Sequence, residues 1–293
     1  MTDTRTEKIK MKRSSAFGRF YTSFKKHKLA NVAMYVLILE ILLVLLVPVF
    51  MKLDPYTIFP VFDQAPSAEH LLGTDSVGRD IFSRLIYGGQ ISLLVGFSST
   101  VISVIVGLPL GLIAGYYRGA AETIIMRLAD VFLSFPSMVL TIVMVAIFGS
   151  SIPVLILLIG LLAWPQPARL IYGRVLSVRK MEFIEAAKAE GRSTFEIIIK
   201  YVLPNSVAPL WMSIAFMISS AMITESSLSF LGAGVQPPMA SWGNIVHNAT
   251  NVVVLYMYPW EWLPAGIMLI ITVVCINFVG EGVRDALDPK MKR

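Results

Sequence analysis

The chain has 293 residues, of which 25 are Lys or Arg and 19 are Asp or Glu, and its formal net charge is +6. Hydrophobic residues make up 56% of the chain and charged residues 15%, whereas soluble domains contain ~25% charged residues. This balance argues against a soluble protein. The basic residues are spread over separate segments, which argues against nucleic-acid binding. The predicted class is an all-α membrane protein.

Six apolar segments are long enough to cross a lipid bilayer, since a spanning helix needs ~20 mostly apolar residues. They are residues 31–50, 92–116, 124–148, 152–172, 207–231 and 263–279. The first follows a basic segment that is too long and too charged for a cleavable leader, so we interpret it as an uncleaved anchor. We therefore predict six transmembrane helices, with a transmembrane core over 92–280.

Lys and Arg residues alternate between segments in a way that predicts orientation. Nine lie in residues 1–30 and six in 174–200, whereas 233–261 contains none. Short cytoplasmic loops hold the excess of basic residues. Both termini are therefore predicted to be cytoplasmic, with tails at 1–30 and 281–293, and the loops 51–91 and 233–261 are predicted to lie outside.

The outer loops contain two further signals. Residues 76–87 are amphipathic, with Asp80 and Arg84 spaced to pair, which predicts a helix lying in the membrane interface. The loop 233–261 is rich in aromatic residues, among them Trp242, and such rings are typical of the headgroup level.

Small residues recur every fourth position in the second span: Ser99, Ser103, Gly107, Gly111 and Gly115. This spacing allows two helices to approach closely. It predicts a helix–helix contact, either within the chain or with a partner subunit.

Charged residues inside a membrane span are costly and mark function or pairing. Glu40 is expected to be paired or protonated. Arg127 and Asp130 share a face and could neutralise each other or a neighbouring helix. Glu225 lies in a polar run with Ser220 and Thr224, for which a pathway-lining role and a structural hydrogen bond both remain open.

The basic segment 174–205 has the most specific pattern. Residues 177–190 form a predicted amphipathic helix whose apolar row is Val178, Met181, Ile184 and Ala187. Gly191 permits a turn, and a second short helix is predicted at 194–202. Because no membrane covers this loop, the apolar row is expected to need a partner protein.

No cofactor, metal or catalytic site is expected. Cys275 is the only cysteine, and the three His residues are far apart, which argues against a Cys- or His-rich metal site. The sequence lacks a G-x-x-x-x-G-K-[ST] phosphate loop. The sequence argues against two other classes of membrane protein. A proton-coupled carrier often has two matching halves, which are not found here, and a membrane-embedded enzyme would need a catalytic motif, of which none is present.

The spacing Glu185-Ala186-Ala187-x3-Gly191-x9-Tyr201-x-Leu203-Pro204 resembles the EAA motif of ABC importer permeases, which usually has Ile at the position of Tyr201. Residues 70–289 also resemble the dipeptide/oligopeptide (peptide/nickel) branch, and its C-type membrane subunit in particular. The matching blocks begin at His70, Gly78, Ser83, Leu228, Val235, Ser241 and Arg284.

This resemblance implies a type I ABC importer permease in the cytoplasmic membrane of a prokaryote, forming half of a translocation pathway. The implied partners are a homologous second permease subunit, two ATP-binding subunits that hydrolyse the ATP, and an extracytoplasmic solute-binding protein. The motif implies that the ATPase couples through 177–204, at Glu185, Ala186, Ala187, Gly191, Leu203 and Pro204. Peptides are the expected substrate, with nickel complexes and sugars as open alternatives.

Overall fold

The computed structural model describes residues 24, 25 and 27–287, and helices account for most of this part of the chain. The helices are α1 (Lys28–Met51), α2 (Ile81–Tyr117), α3 (Gly119–Ser134), α4 (Ser137–Phe148), α5 (Ile152–Ala163), α6 (Pro165–Val178), α7 (Glu182–Ala189), α8 (Thr194–Ile197), α9 (Leu203–Ser206), α10 (Ala208–Phe230), α11 (Trp242–His247), α12 (Val252–Met257) and α13 (Leu263–Leu287). A π-helical turn (Ile198–Val202) joins α8 to α9. Most of the predicted basic N-terminal tail and the last six residues lie outside the described part.

Five helical segments are long and apolar enough to cross a membrane: α1, α2, the joined α5 and α6, α10 and α13. A sixth is formed if α3 and α4, which meet at an angle of 89°, count as one broken span. The all-α class and the set of six apolar segments are thus confirmed. Helix α2 lies at the centre and packs against α5, α6 and α10, while α13 packs against α1 and α10.

The predicted third span, 124–148, is not a straight helix. Proline lacks the amide hydrogen that a helix interior needs and disfavours helical geometry at the residue before it. Accordingly, α3 ends at Ser134, Phe135 is extended (φ −90°, ψ 142°), and α4 begins after Pro136. Helices α3 and α4 therefore form a bent segment, called here the α3–α4 elbow.

The predicted interfacial helix at 76–87 does not form as a separate element. Helix α2 starts at Ile81, and the Asp80 side chain caps it by accepting a hydrogen bond from the Ser83 amide. At ~1.5 Å per residue, its 37 residues exceed a ~30 Å hydrocarbon core. Asp80 contacts His70 (3.0 Å), and Arg84 lies 3.6 Å from Asp75. The predicted Asp80–Arg84 pair is therefore wrong.

The row of small residues on α2 makes its contact within the chain. A Cβ added to Gly111 would lie 2.4 Å from the carbonyl oxygen of Ala168, and one added to Gly107 would lie 2.6 Å from that of Trp164. The Ser99 hydroxyl donates to the carbonyl of Ile156 at 3.1 Å. This confirms the predicted helix–helix contact and identifies the partner as the joined helix α5–α6.

The outer loop after α10 folds back into the helices. Trp242 on α11 is 0% exposed, and its indole Nε1–H donates to the carbonyl of Leu85 on α2 at 2.9 Å. A Cβ at Gly243 would lie 2.4 Å from Ser226 Cα on α10. The prediction that Trp242 lies at the headgroup level is therefore wrong, whereas Tyr256 on α12 is 76% exposed.

Candidate functional site

The bend in the segment 174–205, hereafter the coupling segment, is built on Gly191. Helix α7 ends with hydrogen bonds from the Gly191 amide to the Lys188 carbonyl (3.0 Å) and from the Arg192 amide to the Ala187 carbonyl (3.2 Å). This is the Schellman arrangement, which requires a left-handed residue at the position of Gly191. Gly191 has φ +74° with open space around it, so the backbone conformation is what favours glycine here.

The chain itself covers three of the four residues of the apolar row, and the fourth, Met181, is 43% exposed. Helix α6 ends at Val178 and α7 begins at Glu182, so the predicted helix 177–190 is interrupted. Val178, Ile184 and Ala187 are 1%, 0% and 3% exposed and pack in one cluster with residues of α2, α6 and α10. The prediction that this row needs a partner protein is therefore wrong for Val178, Ile184 and Ala187, which pack inside the chain.

Polar contacts fasten the coupling segment to the membrane helices. The Arg179 guanidinium donates to the carbonyls of Gly115 and Tyr116, at 3.3 and 2.9 Å. These carbonyls belong to the last turn of α2, where helical carbonyls lack an internal partner. Arg179 therefore connects the coupling segment to the end of α2.

A cluster of charged residues connects the end of α7 to α8 and the π-helical turn. Arg192 contacts Glu190 (2.8 Å) and Glu196 (2.9 Å), and Lys200 contacts Glu196 at 3.0 Å. The hydrogen bonds from Lys200 and Arg192 hold the pKa of Glu196 below its ordinary value. The Arg192 guanidinium also lies 5.6 Å from the ring centroid of Tyr201, within cation–π range. The aromatic residue at 201 thus has a contact that Ile could not make.

The outward face of the coupling segment is partly apolar. Glu185 and Ala186 are exposed on α7, Pro204 is exposed and Leu203 is half-buried. Phe195 on α8 is 75% exposed, and Phe183 and Ile199 are 38% and 42% exposed. We call Phe183, Glu185, Ala186, Phe195 and Ile199 the coupling face. Sequence reasoning missed Phe195 and Phe183 as contact candidates because helical periodicity shows which residues share a face, not which face is already covered.

A second candidate site is a cavity of about 230 Å³ between α2, the α3–α4 elbow, α6 and α10. Ser220 and Thr224 of α10 both line this cavity, together with Ser103 of α2, Thr141 of α4 and Gln166 of α6. The structure thus brings two of the three predicted pathway residues to one cavity.

Glu225 does not line the cavity and is 0% exposed. Its carboxylate accepts hydrogen bonds from the hydroxyls of Ser229 (2.7 Å), Ser92 (3.2 Å) and Ser226 (3.3 Å). Ser92 in turn accepts from the Trp242 amide at 3.1 Å. Of the two interpretations left open, the arrangement favours the structural one, because Glu225 ties α10 to α2 and to the folded-back outer loop.

The other intramembrane charges are also paired. Asp130 on α3 contacts Arg169 on α6 and lies 3.8 Å from Arg127, so it bridges to a neighbouring helix as well as to its own. The Thr272 hydroxyl on α13 contacts the Glu40 carboxylate on α1. Glu40 therefore joins the first span to the last.

The loop between α10 and α13 contains a buried carboxyl group. Glu261, just before α13, is 0% exposed. Burial, Asp63 and then Asp75 raise its pKa to about 8. Because a Cβ at Gly73 would lie 3.0 Å from Trp260 Cδ1, this region is closely packed against the loop before α2.

Replacing this carboxyl is expected to change how stability depends on pH. Glu261 binds its proton more tightly in the folded state than at its ordinary pKa of 4.5, so the free energy of unfolding falls as pH rises from about 4.5 to about 8. Glu261→Gln should therefore match the wild type near pH 5 and exceed its melting temperature near pH 9, measured on the purified subunit in detergent. Glu69→Gln, at an exposed position in the same outer region, is the matched control and should follow the wild type. Identical pH profiles for Glu261→Gln and the wild type would contradict this assignment.

Residues 107–293 match the family model described as binding-protein-dependent transport system inner membrane component. The chain belongs to this family. Residues 15–71 of the permease match the N-terminal TM domain of oligopeptide transport permease C, and the resemblance to an ABC importer permease of this branch is confirmed.

Relatives align with the permease over most of its length. It is 39% identical over 279 residues to a dipeptide transport system permease protein of Alkalihalophilus pseudofirmus, covering 95% of this chain and 91% of that protein. It is 33% identical over 289 residues to an oligopeptide transport system permease protein of Bacillus subtilis, covering 98% and 94%. A glutathione transport system permease protein of Pectobacterium atrosepticum is 40% identical over 245 residues, covering 82% and 81%.

A solved structure shows the same fold. The MetNI methionine ABC transporter in an inward-facing conformation matches with a TM-score of 0.57 and 21% identity, covering 69% of this chain and 96% of that chain. The type I ABC importer permease fold is thus confirmed. The protein is a multi-pass inner-membrane permease subunit of an ABC importer.

Proposed function

We propose that this permease forms half of a translocation pathway for di- or oligopeptides and is driven by ATP-binding subunits that dock on the coupling face. The observation that supports this most directly is the contrast within the coupling segment. Its inner row is fixed to the membrane helices, whereas Phe195 remains 75% exposed. A segment that is rigidly held yet presents an aromatic side chain is suited to receive force from a partner.

The proposed complex has four further subunits: a homologous second permease, two ATP-binding subunits and an extracytoplasmic solute-binding protein. The family description names a binding protein, and this sequence contains no phosphate loop of its own. The ATP would therefore be hydrolysed in the partner subunits.

Peptides are the proposed substrate class. The relatives that span nearly the whole chain are named for dipeptide and oligopeptide transport. The cavity beside Ser220 and Thr224 adds a polar, uncharged surface of the kind a peptide main chain can follow.

The proposed orientation places both termini in the cytoplasm. The positive-inside rule supports it, because the coupling segment is basic and the loop 233–261 has no Lys or Arg. With six crossings, the coupling segment and both tails fall on one side, where the ATP-binding subunits would be.

Transport by the complete complex in proteoliposomes tests this function. We expect uptake of labelled di- and tripeptides that requires ATP, the binding protein and both permeases, and that stops when any one of them is omitted. Peptide uptake driven by a proton gradient without ATP would contradict the ATP-driven proposal and support a carrier. Uptake of a nickel complex or a sugar, with none of any peptide, would contradict the substrate class.

A further inference from the structure

The polar groups that line the cavity beside α10 are hydroxyls and one amide rather than charges, and the rest of the lining is apolar. Its polar lining residues are Ser99, Thr100, Ser103, Ser137, Thr141, Gln166, Ser220 and Thr224. None of its lining residues in the described part of the chain is Asp, Glu, Lys, Arg or His.

Most of these hydroxyls have already used their hydrogen within the chain. Thr100, Thr141 and Thr224 each donate to the carbonyl four residues earlier, at 2.9, 2.8 and 2.8 Å. Ser99 donates to the carbonyl of Ile156 at 3.1 Å. A hydroxyl has one hydrogen and two lone pairs, so these four oxygens can only accept further hydrogen bonds. Ser99, Thr100 and Thr141 are 1%, 4% and 2% exposed, whereas Thr224 is half-buried and reachable from the cavity.

One of the buried hydroxyls in the cavity lining has no hydrogen-bond partner. Ser103 is 0% exposed, and its Oγ has no hydrogen bond within the protein. A buried polar atom without a partner costs free energy. A polar ligand that reached Ser103 Oγ would relieve this cost.

We propose that this cavity is a half-site for the N–H groups of a peptide main chain, an inference that rests on the proposed function. Peptides carry main-chain N–H donors except at proline, whatever their other side chains, and the accessible hydroxyl oxygens of Thr224, Ser137 and Ser220 can accept hydrogen bonds from them. An uncharged wall neither attracts nor repels charged side chains. The cavity therefore binds the peptide main chain and accepts peptides of different side-chain sequence.

The test compares a dipeptide with its ester analogue, in which the main-chain N–H is replaced by oxygen. The complete complex in proteoliposomes is assayed at saturating substrate, and the ratio of the two transport rates is taken. The binding protein is the same in every assay, so its own preference cancels when ratios are compared between permease variants.

Thr224→Val removes the hydroxyl and keeps the shape. It should slow the dipeptide about three- to tenfold, the range of one hydrogen bond, and leave the ester rate unchanged. Thr224→Ser, which keeps the hydroxyl, should restore the wild-type ratio. Thr123→Val is the matched control, because Thr123 also donates to a carbonyl four residues earlier but is exposed and lies outside the cavity.

The outcomes separate the half-site from the proposed function. Equal changes for dipeptide and ester, or no change, in Thr224→Val would overturn the half-site even if wild-type transport is normal. Failure of the wild-type complex to take up any peptide would instead overturn the proposed function.

Discussion

Phe195→Asp is expected to reduce ATP-dependent uptake by the complete complex at least tenfold, while the subunit still inserts and folds. Phe195 is 75% exposed, so its replacement removes little packing within the chain. At an interface, a buried aromatic side chain can contribute 2 kcal/mol or more, and a carboxylate in its place would need to be desolvated. Uptake and membrane insertion are measured on the same preparations.

Two further variants make this result interpretable. Tyr256→Asp is the matched control, since Tyr256 is 76% exposed but lies on the outer helix α12, and its uptake should stay near that of the wild type. Gly191→Val should also impair uptake, because a β-branched residue at φ +74° costs ~1 kcal/mol or more and would change the angle between α7 and α8. Wild-type uptake in both Phe195→Asp and Gly191→Val would contradict the coupling role.

Gly111→Val on α2 is expected to destabilise the permease more than Gly173→Val on α6. The added Cβ would lie 2.4 Å from the Ala168 carbonyl oxygen and 2.9 Å from Ile171 Cβ, and a helix backbone cannot move aside as a flexible side chain can. Overpacking of this kind costs ~1–3 kcal/mol. For a chain of 293 residues that corresponds to a fall in melting temperature of about 2–5 °C.

Gly173→Val is the control for this prediction. Gly173 is also helical, but nothing lies within 4 Å of a Cβ at that position. Its melting temperature in detergent should therefore stay close to that of the wild type. Equal losses in the two variants would mean that the close α2–α6 approach does not contribute to stability.

The membrane helices were predictable because the bilayer imposes a strong physical constraint on composition and length. The four-residue spacing from Ser99 to Gly115 likewise predicted a close helix contact, since only small side chains allow it. The break at Pro136 was not predicted from average hydropathy. Averaging over 124–148 masks a single residue that breaks the helix.

The coupling segment shows a second limit of prediction from sequence. The row of Val178, Ile184 and Ala187 identified a face that must be buried, but periodicity cannot say what buries it. The same holds for Glu225 and Trp242, whose partners come from distant parts of the chain: Ser92 and Leu85 of α2. Long-range contacts of this kind decide whether a polar residue faces water or a protein interior.

Two adjacent alanines allow the most direct test of docking at the coupling face. Ala186 is exposed, whereas Ala187 is 3% exposed and packed inside. In a Cys275→Ala background, single cysteines at these positions and at Phe195 are exposed to a short thiol cross-linker in the complete complex. We predict cross-links to the ATP-binding subunit from positions 186 and 195 and none from 187, which would also place this segment and both termini in the cytoplasm. Absence of cross-links from 186 and 195 in every nucleotide state would contradict docking at this face.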